Sequence, residues 1–275
     1  MRLHLCKPSP ALRTWIDFYW ICEDYHPLHK LEYKLPDPHT SWIITLRQDR
    51  IRIYGHGTTD RYELMPGAII AGPKTSRYWL DTECQNACLG IEFKPGGAYP
   101  FLGSRMFELQ DSDMPLQEAI RHPDTASLRC ELAELSAPME RFRRVEQFLT
   151  DCLAGRIDNP GGHPAVSAGL QALAGNPGAA LVRELAEKAN LSTERFIQLF
   201  KRETGLTPKQ YAGVVRFQRA VQHLRQNPGG DGLETALACG YYDQSHFNRD
   251  FRLRSGMTPM EMQRRDDIIF NHVPD

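Results

Sequence analysis

The sequence predicts an α+β protein of two domains. The first is a small antiparallel β-sheet or barrel with closing helices, and the second an all-α domain carrying two helix–turn–helix units. Three observations lead there. The chain has 275 residues, against about 100 to 200 for a typical domain. Residues 155–164 (GRIDNPGGHP) lack hydrophobic periodicity and are dense in residues that break both helix and strand. Before that stretch the chain shows short β-branched runs between turn residues, and from residue 179 onward it is helix-patterned throughout. The expected division is 1–156, a linker at 157–164, and 165–268.

Composition narrows the class. With 41% hydrophobic and 24% charged residues, the chain sits among ordinary folded proteins. No stretch reaches the roughly 18 uncharged apolar residues that span a bilayer, and residues 1–10 lack a signal-peptide pattern, so a cytoplasmic protein without membrane contact is expected. Seven cysteines without a CxxC argue against a disulfide framework or zinc finger and read as reduced thiols. Cys84 and Cys88 leave a redox pair open, although two small residues in or near a strand is the simpler reading. Of the 33 basic and 34 acidic residues, 14 basic and 9 acidic fall in residues 161–265, an excess that suits an anionic partner.

In the N-terminal part an aromatic segment (Trp15, Ile16, Phe18, Tyr19, Trp20, Ile21) precedes apolar runs read as strands near 41–46, 51–54, 68–71, 77–80 and 88–93. Pro36/Pro38, Gly55/Gly57, Pro66-Gly67, Gly72-Pro73 and Pro95-Gly96-Gly97 separate them. Leu128, Leu132 and Leu135, then Phe142, Val145, Leu149 and Cys152, fall at helical spacing and predict two closing helices. The second stripe either packs on its own sheet or offers a homodimer face.

In the C-terminal part Leu181, Leu185 and Ala189 share one helix face, Asn190-Leu191-Ser192 breaks it, and Ser192 caps the next helix. That helix, Thr193–Thr204, places Phe196, Leu199 and Phe200 inside and Glu194, Gln198, Lys201 and Arg202 outside, with Arg195 at the edge; Gly205 ends it. The plan recurs about 50 residues later. Leu233, Ala236 and Leu237 form a short helix, Tyr241-Tyr242-Asp243 the turn, with Asp243 a candidate cap, and Gln244–Ser255 a second outer helix. That helix buries Phe247 and Phe251 and gathers Ser245, Asn248, Arg249 and Arg252 on its other face. Gly256 ends it, and Thr-Pro pairs, Thr207-Pro208 and Thr258-Pro259, follow both units. Residues 208–226 read as one linking helix about 28 Å long at 1.5 Å per residue. That is comparable to the ~34 Å turn of B-DNA, so both outer helices can lie in successive major grooves on one face of a duplex.

Leu185-Ala186, Leu191-Ser192, Phe200-Lys201, Gly205 to Pro208, Arg216 to Ala220, Ala236 to Gly240, Asp243 to Phe247, Arg249 to Phe251 and Gly256 to Pro259 resemble the AraC/XylS family of transcription regulators over about residues 165–265. The resemblance implies a DNA-binding domain of seven helices, usually activating promoters with RNA polymerase as partner, and an N-terminal domain that senses a small-molecule effector or dimerises. Trp15 to Trp20, Leu35-Pro36-Asp37 and Gly90 to Ala98 are similar to a small β-rich domain that precedes such readers in some bacterial regulators. Two departures stand out. Many relatives carry arginine at Gln198, which shifts preference from guanine toward adenine. Met262-Gln263 replaces an aromatic-arginine pair and should alter packing of the last helix.

The expected partner is double-stranded DNA. Ser192, Glu194, Arg195, Gln198, Lys201, Arg202, Gln244, Ser245, His246, Asn248, Arg249 and Arg252 are the candidate contacts. Gln198, Glu194, Ser245, Asn248 and Arg249 are the base readers among them, Lys and Arg otherwise supply phosphate affinity, and His246 fits either contact or structure. Trp20, Trp42, Tyr54, Tyr78 and Trp79 are candidates for an effector pocket, with core packing as the competing explanation. His4, His26, His29, His39 and His56 show no HxH spacing, so no metal or other cofactor is expected. GxSxG, GxxxxGK[ST] and HExxH are absent, so no catalytic residues are expected. The alternative is a metal- or ligand-dependent cupin-like enzyme or binding protein with an accessory helical domain, which metal analysis of the purified protein distinguishes.

Overall fold

Strand alternation organises the N-terminal half. In the computed structural model, which describes residues 1–54, 59–154, 162–178 and 181–264, ten strands form there: β1 (Arg2–Cys6), β2 (Ile16–Glu23), β3 (Leu31–Lys34), β4 (Ser41–Thr45), β5 (Arg50–Tyr54), β6 (Tyr62–Pro66), β7 (Ala68–Ala71), β8 (Tyr78–Asp81), β9 (Ala87–Phe93) and β10 (Asp113–Pro115). They pair antiparallel in two sheets, ordered β1-β2-β9-β4-β7-β10 and β3-β8-β5-β6. Side chains alternate between faces. Tyr19, Ile21, Trp42, Ile44, Ile70, Leu89 and Ile91 of the larger sheet point to a core, while Trp20, Ser41, Ile43, Ile69, Cys88 and Glu92 point to a cavity on the other side.

Helices α1 (Tyr99–Leu102), α2 (Leu116–Ala119), α3 (Leu128–Glu134) and α4 (Pro138–Ala154), with a 3₁₀ segment at Gly103–Leu109, cover the core face. The stripe Phe142, Val145, Leu149 and Cys152 on α4 is buried there together with Leu128 and Leu132. The closing helices are thus as expected, but this stripe packs within its own domain and is not free to pair with a second copy.

Gly90 lies opposite Trp20 in the β2/β9 register. A Cβ at Gly90 would fall 2.0 Å from the indole, so glycine there is what lets Trp20 lie flat across the sheet.

The C-terminal half holds seven helices among its described residues: α5 (Pro164–Gly175), α6 (Val182–Lys188), α7 (Thr193–Thr204), α8 (Pro208–Gln226), α9 (Gly232–Ala238), α10 (Gln244–Ser255) and α11 (Pro259–Gln263). Most of the expected linker at 157–164 lies outside the described residues, as do Gly55, His56, Gly57 and Ala179. The caps read from sequence form: Ser192 Oγ accepts from Arg195 N–H at 3.2 Å and Asp243 Oδ1 from His246 N–H at 2.6 Å. Thr207 and Thr258 each close a capping box before a first-turn proline. Gly205 (φ +79°) and Gly256 (φ +70°) end α7 and α10 in the left-handed conformation.

Helix α8 joins two small cores. Tyr211 and Ala212 near its start pack with Phe196, Leu199 and Phe200, while Phe217, Ala220, Val221 and Leu224 further along pack with Phe247 and Phe251. Met262 is buried in the second core, and Gln263 donates to the Leu224 carbonyl at 3.3 Å. The second core also takes in Tyr33 and Leu35 of the N-terminal domain. Further contacts tie the domains together. Arg254 donates to the Thr75 carbonyl at 3.0 Å, Arg77 N–H to the Arg254 carbonyl at 2.9 Å, Tyr33 to the Ser255 carbonyl and Gln218 to the Pro36 carbonyl. No described helix is long and apolar enough to cross a membrane.

Candidate nucleic-acid interface and interdomain cavity

The two outer helices are built alike. Phe196 and Phe200 on α7, and Phe247 and Phe251 on α10, are fully buried at four-residue spacing. Each aromatic pair fixes the rotation of its helix, so the polar residues between them face outward. On α10, Gln244, Ser245, Asn248, Arg249 and Arg252 are all exposed. His246 is half-buried, with its ring edge-on to Tyr241 at 5.3 Å, an arrangement that holds the turn in place. Tyr241 in turn donates to Asp250 at 3.0 Å. Burial and the Asp250 carboxylate together push its phenol well above the ordinary tyrosine range, so it stays a donor.

The first unit differs in one respect that the sequence did not reveal. Glu194, Arg195 and Gln198 are exposed and Ser192 caps the helix, but Lys201 and Arg202 are half-buried against the N-terminal domain. The Lys201 ammonium lies 4.4 Å from the centre of the Phe107 ring, and the Arg202 guanidinium 5.6 Å from that of Tyr99. Arg202 also pairs with Glu203 at 3.0 Å. Where sequence reading placed both on an open outer face, Phe107 and Tyr99 cover them.

The second feature lies between the two sheets: a cavity of about 750 Å³ closed on one side by α8 through Tyr211, Val215, Gln218 and Gln222. Of the five aromatic candidates for an effector pocket, Trp20 and Tyr78 line it. Trp42 instead sits in the helix-side core, fully buried among Phe93, Phe101 and Phe148. Trp79 stacks edge-on against Tyr33 at 4.6 Å and Tyr54 lies against Tyr62 at 5.5 Å. Period-two alternation explains the first two departures, because the neighbours Ile43, Tyr78 and Leu80 occupy the cavity side.

Sequence reading missed the charged groups in this cavity. Lys74 and Asp113 form a buried pair at 2.8 Å, and Lys34 meets the buried Glu32 at 3.2 Å. His39 meets Asp37 at 2.5 Å. Burial opposes its charged ring, but Asp37, with Glu92 and Asp17, outweighs that and raises its pKa to about 9. Glu92 accepts from Trp20 Nε1 at 2.9 Å and from Ser41 Oγ, and burial raises its pKa despite these two bonds. A charged residue inside the apolar run Cys88-Leu89-Gly90-Ile91-Glu92-Phe93 was the one available signal. Cys84 and Cys88 lie nearby. The Cys88 thiol donates to the Cys84 carbonyl at 3.1 Å, and burial raises both pKa values, which disfavours the reactive thiolate.

Among known proteins, a family model described as a helix-turn-helix domain matches residues 185–265, and one described as a domain of unknown function (DUF6597) matches residues 4–115. The HTH-type transcriptional activator RhaS of Klebsiella pneumoniae is 31% identical over 86 residues, and that of Salmonella newport 35% over 86 residues. Each match covers 31% of this chain and 31% of the relative, so the chain spans under a third of the curated relatives it matches. Among solved structures, ToxT from Vibrio cholerae aligns over 95% of this chain and 96% of its own, with 10% identity and a TM-score of 0.41. The duplicated caps, the paired phenylalanines and the sequence matches agree, and the C-terminal domain belongs to the AraC/XylS family of helix-turn-helix domains, here following a β-rich N-terminal domain.

Proposed function

We propose that the protein is a sequence-specific DNA-binding transcription regulator, acting as an activator with RNA polymerase, whose N-terminal domain tunes DNA binding through a small-molecule effector. One observation carries the reading: two exposed polar helix faces, on α7 and α10, are held near the two ends of one 19-residue helix. Their likeness, down to the N-caps and the terminal glycines, favours two adjacent major-groove segments read by a single chain. The relatives named as transcriptional activators support the direction of regulation. The cavity that meets α8 supports the effector, because an occupant would touch the helix that carries both readers. No catalytic step is assigned to the chain.

The test is binding of the full-length protein to DNA from its own upstream region, at several salt concentrations and against a scrambled competitor. Preference for the upstream fragment is the expected result. Equal binding to both at every salt concentration refutes sequence-specific recognition. A reporter gene behind the same fragment then fixes the sign, with loss of expression on deleting the regulator as the expected outcome.

A further inference from the structure

Five carboxylates line the cavity, and four of them have a cation within reach. Asp17 has Lys7 at 3.7 Å, Asp37 has His39 at 2.5 Å, Asp81 has Arg52 at 2.8 Å, and Asp113 has Lys74 at 2.8 Å. Among the described residues Glu92 has none within 4.0 Å. Its hydrogen bonds come from neutral donors, the Trp20 indole and the Ser41 hydroxyl. It is also fixed from both sides, since Phe18 on β2 and Ser41 on β4 are its register partners across the sheet.

The surroundings do not neutralise it. Lys34 and His39 act on Glu92 electrostatically, but Lys34 is held by Glu32 and His39 by Asp37, so two cations stand against three carboxylates at this end of the cavity. Arg219, hydrogen-bonded to the Ala174 and Gly175 carbonyls, and Arg225 line the α8 rim of the cavity, and neither is among the main influences on Glu92. A buried charge without a partner is costly, and a ligand that supplies the partner recovers that cost on binding.

We propose that the cavity binds a small organic cation, an amine with an apolar body, whose charged head pairs with Glu92 beside the Trp20 indole and whose body lies against Ile43, Ile69 and Leu80. The cavity volume of about 750 Å³ falls in the range of roughly 300–1,000 Å³ typical of small-molecule sites. Trp20 offers its ring to the cation and its N–H to the same carboxylate, which places both interactions on one side of the head group. Val215, Gln218 and Gln222 of α8 complete the wall of the same cavity. The consequence for regulation rests on the proposed function, whereas the binding site does not.

Calorimetric titration of the full-length protein, without DNA, with phenylbutylamine, phenylbutanol and phenylbutyrate tests the site, because the three differ mainly in head-group charge. The amine should bind at least about tenfold more tightly than the alcohol, and the carboxylate more weakly than either. Glu92→Gln should remove that tenfold preference and leave the alcohol unchanged. Carboxylate binding as tight as the amine, equal binding of all three, or no amine binding at about 1 mM overturns the proposal. Retained amine preference in Glu92→Gln overturns it too. If that variant does not fold, the ranking on the unmodified protein decides alone. DNA affinity of the ligand-free protein is measured separately, so failure of the amine site and failure of DNA recognition are read apart.

Discussion

Replacing Lys201 by alanine tests the first reader helix and its cover together. In the free protein its ammonium stacks on Phe107 at 4.4 Å, worth about 0.5–1 kcal/mol at a partly exposed site. A phosphate contact contributes about 0.9 to the slope of log K against log salt. At ~0.1 M salt this is roughly an eightfold gain, or ~1.2 kcal/mol. Leaving Phe107 offsets part of it, so Lys201→Ala should weaken binding only about 1.5- to 3-fold at that salt, on specific and scrambled DNA alike, and lower the slope by about 0.9. Phe107→Ala removes the offset alone and should tighten binding about two- to fivefold with the slope unchanged. In the Lys201→Ala background it should do nothing. Fluorescence anisotropy of a labelled upstream fragment between about 0.05 and 0.3 M salt measures all four proteins. An unchanged slope in Lys201→Ala, or tightening by Phe107→Ala without Lys201, refutes the reasoning.

Arg249→Ala should cost roughly 1–3 kcal/mol in DNA binding and relax preference at one base pair, measured with duplexes varied one position at a time; a uniform loss across all duplexes contradicts a base-reading role. Gly205→Ala forces a Cβ into φ +79° and to 3.1 Å from the Met106 carbonyl and Pro73, and should destabilise the protein by about 1–2 kcal/mol, visible as a lower melting temperature that an unchanged transition would deny. His39 carries a pKa raised to about 9 from the ordinary 6.5, so the fold favours its charged form. Its contribution is complete below about pH 6.5 and fades as pH rises through 9. Thermal melts from pH 6 to 10 should show this decline, and His39→Gln should remove it.

Much of the C-terminal domain was legible because its signals are local. The caps Ser192 and Asp243, the Thr-Pro starts and the terminal glycines act within a few residues of where they stand, and the bounds 193–204, 208–226 and 244–255 follow from them. In the N-terminal half the central strands β4, β5, β7 and β9 announce themselves by short apolar runs between turn residues, whereas β3, β6 and β10 do not. Leu31–Lys34 buries Glu32 and Lys34 as a pair, a pattern that reads as a solvated loop until the partner is known. Tyr62–Pro66 keeps its first three residues exposed, and Asp113–Pro115 is three residues long. The cavity was half legible. Its aromatic candidates came from composition, but which of two neighbouring residues faces inward depends on pairing across strands, and that decided against Trp42 and Trp79. Phe107 covering Lys201 is a meeting of residues 94 positions apart, and nothing local encodes it.

Helix α8 closes the cavity with one side and sets the separation of the two reader helices with its length. On the proposed reading, that would let it act as a lever against the N-terminal domain. Over its span of about 28 Å, a tilt of roughly 5° about the middle moves each end by ~1.2 Å, in opposite senses. Hydrogen bonds to base edges hold only across about 2.7–3.2 Å, so a displacement of that size at both readers takes them out of phase with the groove. On the proposed DNA-binding reading, a small change in the cavity wall, too slight to rearrange either core, would then be sufficient to change which DNA the two units can grip at once.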